Sequence, residues 1–401
     1  MRTMSDKRYK RLGNYIELVQ ERNKGAYITN LMGVSIAKKF IPSIANIIGT
    51  DLSNYRIVHP GNFAFCPVTS RNGEKITIAR YKGKDDCIIS QAYLPFRVID
   101  ENELDPDYLM MWVMRPEFDR YARFHSHGSV RELFSWEEMC NVYLPIPSIE
   151  EQRKIVAEYQ AVEQRIENNN RLIKALEDTA QAIYHHTFVE NIDPENLPEG
   201  WSYSNLKSIT EFTIGGDWGK DQPEGNYTHK VLCIRGADTP SLKQCRIGVI
   251  PVRYILPKNL QSRKLIPGDV VVEISGGSPT QSTGRSAQMN LIADNYFGCD
   301  VICPNFCRVI RPMQPYSAFF YFAFNYMFKR DIFFKYENSS NGLKNLNLEA
   351  VLTDEKILIP SPDVSLNFSL TITSIQNSIY YIGQEQDKLN ELLRLLLSKL
   401  S

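Results

Sequence analysis

The residues of this chain best suited to chemistry are few, and each set falls short of a working constellation. Gly276, Gly277 and the Gly284-Arg285 pair could line a phosphate, but no Gly-Lys-Ser/Thr stands at the spacing a phosphate loop requires. Ser278 follows two glycines, yet Thr280 occupies the place where a nucleophile elbow carries its trailing glycine. His185 and His186 are adjacent, so on a helix they point about 100° apart and cannot make the i, i+4 pair of a zinc helix. Cys299, Cys303 and Cys307 recur every four residues and would share one face of a strand. Three thiols without a fourth ligand read as buried small hydrophobes rather than a metal site. No Asp/Asn-Pro-Pro-aromatic tetrapeptide of an amino-methyltransferase occurs, and no glycine-rich dinucleotide fingerprint follows a strand. The expectation is a chain with no catalytic site, metal or cofactor of its own.

The bulk numbers describe a folded protein. With 401 residues, 43% hydrophobic and 11% aromatic, the chain should form two to three domains. Its start is charged and lacks the apolar core of a signal peptide. The longest apolar run, Tyr316 to Phe328, is broken by Ser317 and Asn325 and is too short for a bilayer. A cytoplasmic location is expected, with the eight cysteines as thiols. Net charge is zero. By segment, residues 1–148 carry 20 Lys and Arg against 17 Asp and Glu, and residues 193–361 carry 18 against 17. Residues 149–192 carry 5 against 8, and residues 362–401 carry 3 against 4. Charge permits local basic patches on the two large segments and does not identify a nucleic-acid face.

Two of these segments repeat an apolar residue at alternating steps of four and three. One series runs Ile155, Tyr159, Val162, Ile166, Asn169, Ile173, Leu176, Ala180, Ile183, Thr187; the other runs Phe368, Ile372, Ile375, Ile379, Ile382, Gln386, Leu389, Leu393, Leu396, Leu400. A sustained 3.5-residue period is a coiled-coil seam. Each series has one large polar break, Asn169 and Gln386. With the helices antiparallel and those two residues opposed, every facing pair of numbers sums to 555, from 155 with 400 to 187 with 368. Ser148 with Glu151 forms a capping box for the first helix, which should end near Glu190 because Pro194 cannot continue it. The second helix should start near Ser365.

Between and before the helices the chain reads as one unit written twice. Phe96-Arg97-Val98-Ile99 answers Cys307-Arg308-Val309-Ile310, and Phe118-Asp119-Arg120 answers Phe328-Lys329-Arg330. Gly128, Arg131 and Leu133 answer Gly342, Lys344 and Leu346, and Leu144-Pro145-Ile146-Pro147 answers Ile359-Pro360-Ser361-Pro362. Pro60-Gly61-Asn62 has a looser echo in Pro267-Gly268-Asp269. Short β-rich runs are expected at Arg56–Val58, Lys75–Ala79, Val231–Ile234 and Val270–Ile274, and helices over Asp107–Ala122 and Ser317–Lys335. The fold class is α+β: two mixed α/β domains joined by two long helices in an antiparallel coiled coil. The segments are 1–148, first domain; 149–192, central helix; 193–361, second domain; and 362–401, C-terminal helix.

The stretch from Leu144 to Ile155, with Pro145, Pro147, Glu151, Gln152 and Ile155, resembles the central region of the specificity subunit of type I restriction–modification enzymes. There a Pro-x-Pro-x-x-x-Glu-Gln-type signature closes a target-recognition domain and opens a spacer helix. The segments around Gly128–Met139 and Asn341–Val351 and the Pro267-Gly268-Asp269 … Gly284-Arg285 pattern resemble the same family. The second junction departs from it, since Ile359–Leu370 contains no Glu-Gln.

The resemblance implies a non-catalytic subunit in which each large segment recognises half of a bipartite DNA target and the helices set the spacer. The seam from Ile155 to Thr187 is roughly 48 Å long at 1.5 Å per residue. Half-sites on one face of DNA lie about 34 Å apart or a multiple of it. Base readout needs Arg, Lys, Asn, Gln, His, Ser or Thr on loops. Candidates in the first domain are Arg71, Asn72, Lys75, Arg80, Lys82, His125, His127 and Arg131. In the second they are Lys220, Arg235, Ser278, Thr280, Gln281, Arg285, Asn341 and Lys344. Each also reads as an ordinary solvated side chain. The resemblance further implies two methyltransferase subunits that bind S-adenosylmethionine, and a restriction–translocation subunit using ATP and Mg. The other readings are a type II-like or other phage-defence methylation system, a self-contained enzyme, or a coiled-coil scaffold with no DNA role.

Overall fold

The structure is a computed structural model that describes residues 9–43, 49–70, 73–128, 131–190, 192–340 and 343–400. Two compact units make up the chain, residues 1–164 with 391–401 and residues 165–390.

In the first unit, strands β1 (Ile16–Leu18), β2 (Phe63–Phe65), β3 (Ile78–Arg80) and β4 (Leu94–Val98) form an antiparallel sheet in the order β1-β4-β2-β3. Phe96 on β4 stands opposite Phe63 on β2, and their rings stack at 4.9 Å. Both are fully buried, along with Phe65, Phe118 and Phe134. Burying each large apolar side chain favours folding by roughly 1.5–3 kcal/mol. The expected single helix over Asp107–Ala122 is two, Pro106–Val113 and Pro116–Phe124. Pro116 forces Arg115 into an extended conformation and then serves as the first residue of the second helix. Strand Tyr9–Arg11 pairs antiparallel with Tyr143–Pro145, which closes the unit just before the long helix.

The second unit repeats this plan. Strands β5 (Thr210–Gly215), β6 (Val270–Glu273), β7 (Ser286–Gln288) and β8 (Cys307–Pro312) form an antiparallel sheet in the order β5-β8-β6-β7. The Phe96–Ile99 and Cys307–Ile310 anchors therefore mark the same strand of each sheet. Strand Ser202–Asn205 pairs antiparallel with Lys356–Ile359, the counterpart of the first closing pair. The apolar run of β6 has no alternation because both faces are covered: Val270 and Val272 pack with Phe319 and Phe320, and Val271 packs with Ile173 and Tyr380. The helix expected to reach Lys335 stops at Lys329, where Asp331 turns left-handed at φ 58° and a 3-10 turn, Ile332–Tyr336, follows. Cys303 and Cys307 do not share one strand, since β8 begins at Cys307 and the short strand before it is Val301–Ile302. Burial pushes the Cys307 thiol up to about 12.

The long helices are α1 (Ile149–Phe188) and α2 (Pro362–Ser398). Ser148 accepts the Glu151 N–H at 3.3 Å, and the last turn of α1 closes where Glu190 N–H bonds to His185 O at 2.9 Å. Helix α2 starts three residues before Ser365, because a proline is well accommodated in the first helical position. The helices run antiparallel. In the first unit Ile155, Val156 and Tyr159 share a core with Leu393, Leu396 and Leu400. In the second, Ile173 and Leu176 meet Ile379 and Ile382, while Ala180 and Ile183 meet Phe368 and Ile372. The boundary between units falls after Gln164 on one helix and after Asn390 on the other. Residues 164 and 391, and 165 and 390, obey the same sum of 555.

Candidate nucleic-acid interface

Ion pairs divide the residues singled out from the sequence into two sets. In the first unit Arg80, at the end of β3, donates to Gly61 O at 3.2 Å and meets Asp107 at 2.7 Å. Lys82 lies 3.6 Å from the same carboxylate and is largely exposed. His125 lies against Tyr121, ring centroids 4.2 Å apart, with Nδ1 3.5 Å from Glu138. His127 pairs through its backbone with Leu133. This closes a loop in which Gly128 sits at φ 141° and any Cβ would stand 2.1 Å from Arg131 O. Lys75, His127 and Arg131 are exposed. Arg71 and Asn72 lie outside the described residues.

In the second unit the arginines are tied down. Arg235 grips Asp238 with two nitrogens at 2.7 and 2.9 Å, and Arg285 grips Glu273 at 2.9 and 2.6 Å. Asp238 and Glu273 are buried. A two-pronged pair of this kind fixes the guanidinium plane and neutralises it. Lys220 is 3.4 Å from Glu224 and 5.8 Å from the Tyr227 ring centre. Lys344 is held by Glu337 at 2.9 Å and by Ser278 O at 2.9 Å. Ser278 organises a tight turn: its Oγ accepts the Gln281 N–H at 3.0 Å, and its own N–H donates to Gln281 O at 2.8 Å. Thr280 and Gln281 project from this turn and are exposed. Gly284, at φ 120°, lets Phe333 and Leu346 close over the loop base; a Cβ there would lie 2.4 Å from the Phe333 ring. Asn341 lies outside the described residues.

The two junctions with the long helices show what their motifs do. Gln152, fully buried, accepts the Asp105 N–H at 2.9 Å and donates to Glu103 O and Pro147 O, both at 2.9 Å. It bolts the first turn of α1 to the loop after β4. Ser365 is the fourth residue of α2 as Gln152 is of α1, so Ser365 holds the matching place on the helix, two residues off the Pro147–Pro362 correspondence of the sequence. Ser365 is also fully buried, and its Oγ donates to Pro315 O at 3.1 Å. The missing Glu-Gln is thus replaced by one short hydroxyl making one bond. Asp269 of the Pro-Gly-Asp turn is likewise architectural: it accepts the Ile266 N–H at 2.9 Å and both prongs of Arg311 at 2.7 Å.

The polar break of the helix pair is a small network. Asn169 and Gln386 are both buried. Gln386 Nε2 donates to Asn170 Oδ1 at 2.7 Å and Ile166 O at 3.2 Å, while Asn169 Nδ2 donates to Glu385 at 2.9 Å. Arg165 meets Glu385 with two nitrogens at 3.0 and 3.1 Å, and this pairing holds the Glu385 carboxyl below its ordinary range. Sequence reading did not reach Arg165, Asn170 or Glu385, which lie one or more positions off the seam.

Residues 16–178 match the family described as the type I restriction modification DNA specificity domain. The match spans 163 of the 401 residues. A putative type I restriction enzyme MjaX specificity subunit of Methanocaldococcus jannaschii is 20% identical to the chain over 277 residues, covering 65% of this chain and 63% of that protein. The crystal structure of a type I restriction–modification S subunit from M. genitalium shares the fold, with a TM-score of 0.57 at 12% identity over 100% of this chain and 98% of that one. The HsdS subunit from Thermoanaerobacter tengcongensis is 17% identical over 98% and 96% of the two chains, with a TM-score of 0.35. Among the described residues, no cluster of three metal-ligating side chains occurs, and no helix is long and apolar enough to cross a membrane.

Proposed function

We propose that this chain selects a bipartite DNA target for a restriction–modification complex and has no catalytic site of its own. The observation that carries the reading is the duplication: two sheets with one strand order, each closed by a terminal strand pair that leads directly into a long helix. Each copy reads one half-site, and the helix pair sets the number of unread base pairs between them. Lys75, Lys82, His127 and Arg131 in the first copy, and Lys220, Thr280 and Gln281 in the second, are the exposed members of the candidate set and face DNA on this reading. Arg80, Arg235, Arg285 and Lys344 hold the loops in shape. His125 and Ser278 belong with them.

The partners on this reading are double-stranded DNA, two methyltransferase subunits that bring S-adenosylmethionine, and a restriction–translocation subunit that brings ATP and Mg, all in the cytoplasm. The test is a map of methylated adenines made by the complex in a host lacking other such systems. A single bipartite consensus is expected. Inserting one heptad into both α1 and α2 at the Asn169–Gln386 layer should lengthen the unread spacer and leave both half-sites as they were. Altered half-sites, or a consensus without a gap, would overturn the reading.

A further inference from the structure

Arg22 and Arg56 of the first unit face each other across an antiparallel bridge. Ile57 N–H bonds to Glu21 O at 3.1 Å and Asn23 N–H bonds to Tyr55 O at 3.0 Å, one on either side of the bridge. That pattern makes the two arginines a non-hydrogen-bonded pair, whose Cα atoms stand about 4.5 Å apart with the side chains on one face. Like charges placed directly opposite are destabilising. An anion between them would reverse the sign of the contact.

No carboxylate of the chain supplies that charge among the described residues. Glu21 precedes Arg22 on the strand and so points to the other face, where it meets His59 at 3.1 Å. Asp86 meets the same ring at 2.8 Å, and Asp51 accepts the Ser53 N–H at 2.9 Å and Asn54 Nδ2 at 3.2 Å. Arg22 donates only to a neutral acceptor, Asn54 Oδ1, at 3.4 Å. Arg56 is half-buried, opposite Ile89 and two residues before Val58, both fully buried. Its Nε is buried and has no acceptor among the described residues. Burial and then the Arg22 charge push the Arg56 guanidinium below its ordinary range, and no acid opposes them. Buried donors ordinarily have acceptors, so the compensation for Arg56 has to come from outside the chain. The loops around the pair are already fixed. Asn23, itself buried, donates to Ile28 O at 2.9 Å and Leu52 O at 3.4 Å and accepts the Ile28 N–H at 3.1 Å. Two guanidinium groups on a fixed frame suit a phosphate, whose oxygens take paired N–H bonds.

We propose that Arg22 and Arg56 together hold one phosphate oxyanion. Its source is a DNA backbone group, in which case the site rests on the reading above, or a free phosphate ion. Neither arginine belongs to the base-reading candidates, so on DNA the site would fix position and not sequence. Melting of the full chain is measured in inorganic phosphate and in chloride at equal ionic strength. Phosphate should raise the melting temperature by about 2 °C or more, and Arg56→Met and Arg22→Gln should each remove that gain. Arg22 is exposed, so Arg22→Gln carries the test if Arg56→Met does not fold. A DNA duplex of arbitrary sequence, titrated over a range of salt, then names the source. If the slope of log K against log salt flattens by about 0.9 in the variants, the phosphate belongs to DNA. If the gain is lost and the slope is unchanged, the ligand is free phosphate. A chain that shows the phosphate gain without binding duplex keeps this site, whatever becomes of the DNA reading. A melting gain and a salt slope that are both the same in wild type and variants overturn the proposal, and so does the absence of both phosphate gain and duplex binding.

Discussion

At the scale of single residues, the contrast between Gln152 and Ser365 explains how two junctions of unequal sequence serve one design. Gln152 makes three side-chain hydrogen bonds and Ser365 makes one, both from fully buried positions. Gln152→Ala strands the Asp105 N–H and two carbonyls, so urea denaturation should show a loss of about 1–3 kcal/mol. Ser365→Ala should cost about 1 kcal/mol or less. His59 supplies a pH-dependent contact: Nδ1 is 2.8 Å from Asp86 and Nε2 is 3.1 Å from Glu21. Burial disfavours its charged form, but the hydrogen bonds to Asp86 and Glu21 outweigh burial and raise its pKa above the usual value. A raised folded-state pKa means the contribution is fully present below the ordinary histidine range and is lost as pH climbs through the raised value. The stability gap between wild type and His59→Gln should therefore narrow as pH rises from about 6 to about 8, in denaturation curves taken across that span.

At the scale of elements, the helix pair combines a long apolar seam with one polar layer. Apolar layers tolerate sliding by a heptad, whereas Gln386 finds Asn170 and the Ile166 carbonyl, and Asn169 finds Glu385, in one register only. Buried polar groups of this sort often contribute little stability, and replacing them with apolar residues is commonly neutral or stabilising by about 1–4 kcal/mol. The double variant Asn169→Leu, Gln386→Leu should melt at an equal or higher temperature. Its methylation map should show more than one spacer length where the wild type shows one. A single unchanged spacer would mean that the apolar layers alone hold register. The heptad pattern made the seam legible from sequence because burial along a helix recurs every 3.5 residues whatever lies around it. The partners within the polar layer were not legible, since Arg165, Asn170 and Glu385 sit off the seam and reach it only through long side chains.

At the scale of the whole molecule, duplication on the proposed reading predicts that the two half-sites can be altered one at a time. Thr280→Ala with Gln281→Ala, on the exposed turn held by Ser278, should relax one half of the consensus by about 1–3 kcal/mol per lost base contact. The other half and the spacer should stay unchanged, as read from DNA selected out of a random pool by the assembled complex. A change in both halves would contradict independent reading. The α+β plan, the duplicated unit and the antiparallel pairing were carried by the sequence alone, through anchors such as Phe96–Ile99 with Cys307–Ile310 and through the summed numbering of the two seams. These features rest on periodic burial and on repeated local order, which a linear pattern records. Tertiary structure decided the rest. Arg235 and Arg285 look in sequence like free base readers, yet folding brings each onto a buried carboxylate. That outcome depends on Asp238 and Glu273 being drawn out of water, where an unpaired charge is costly and a nearby guanidinium is the available partner. The bolt at Gln152 joins residues 47 and 49 positions apart in the chain, whose meeting no spacing encodes.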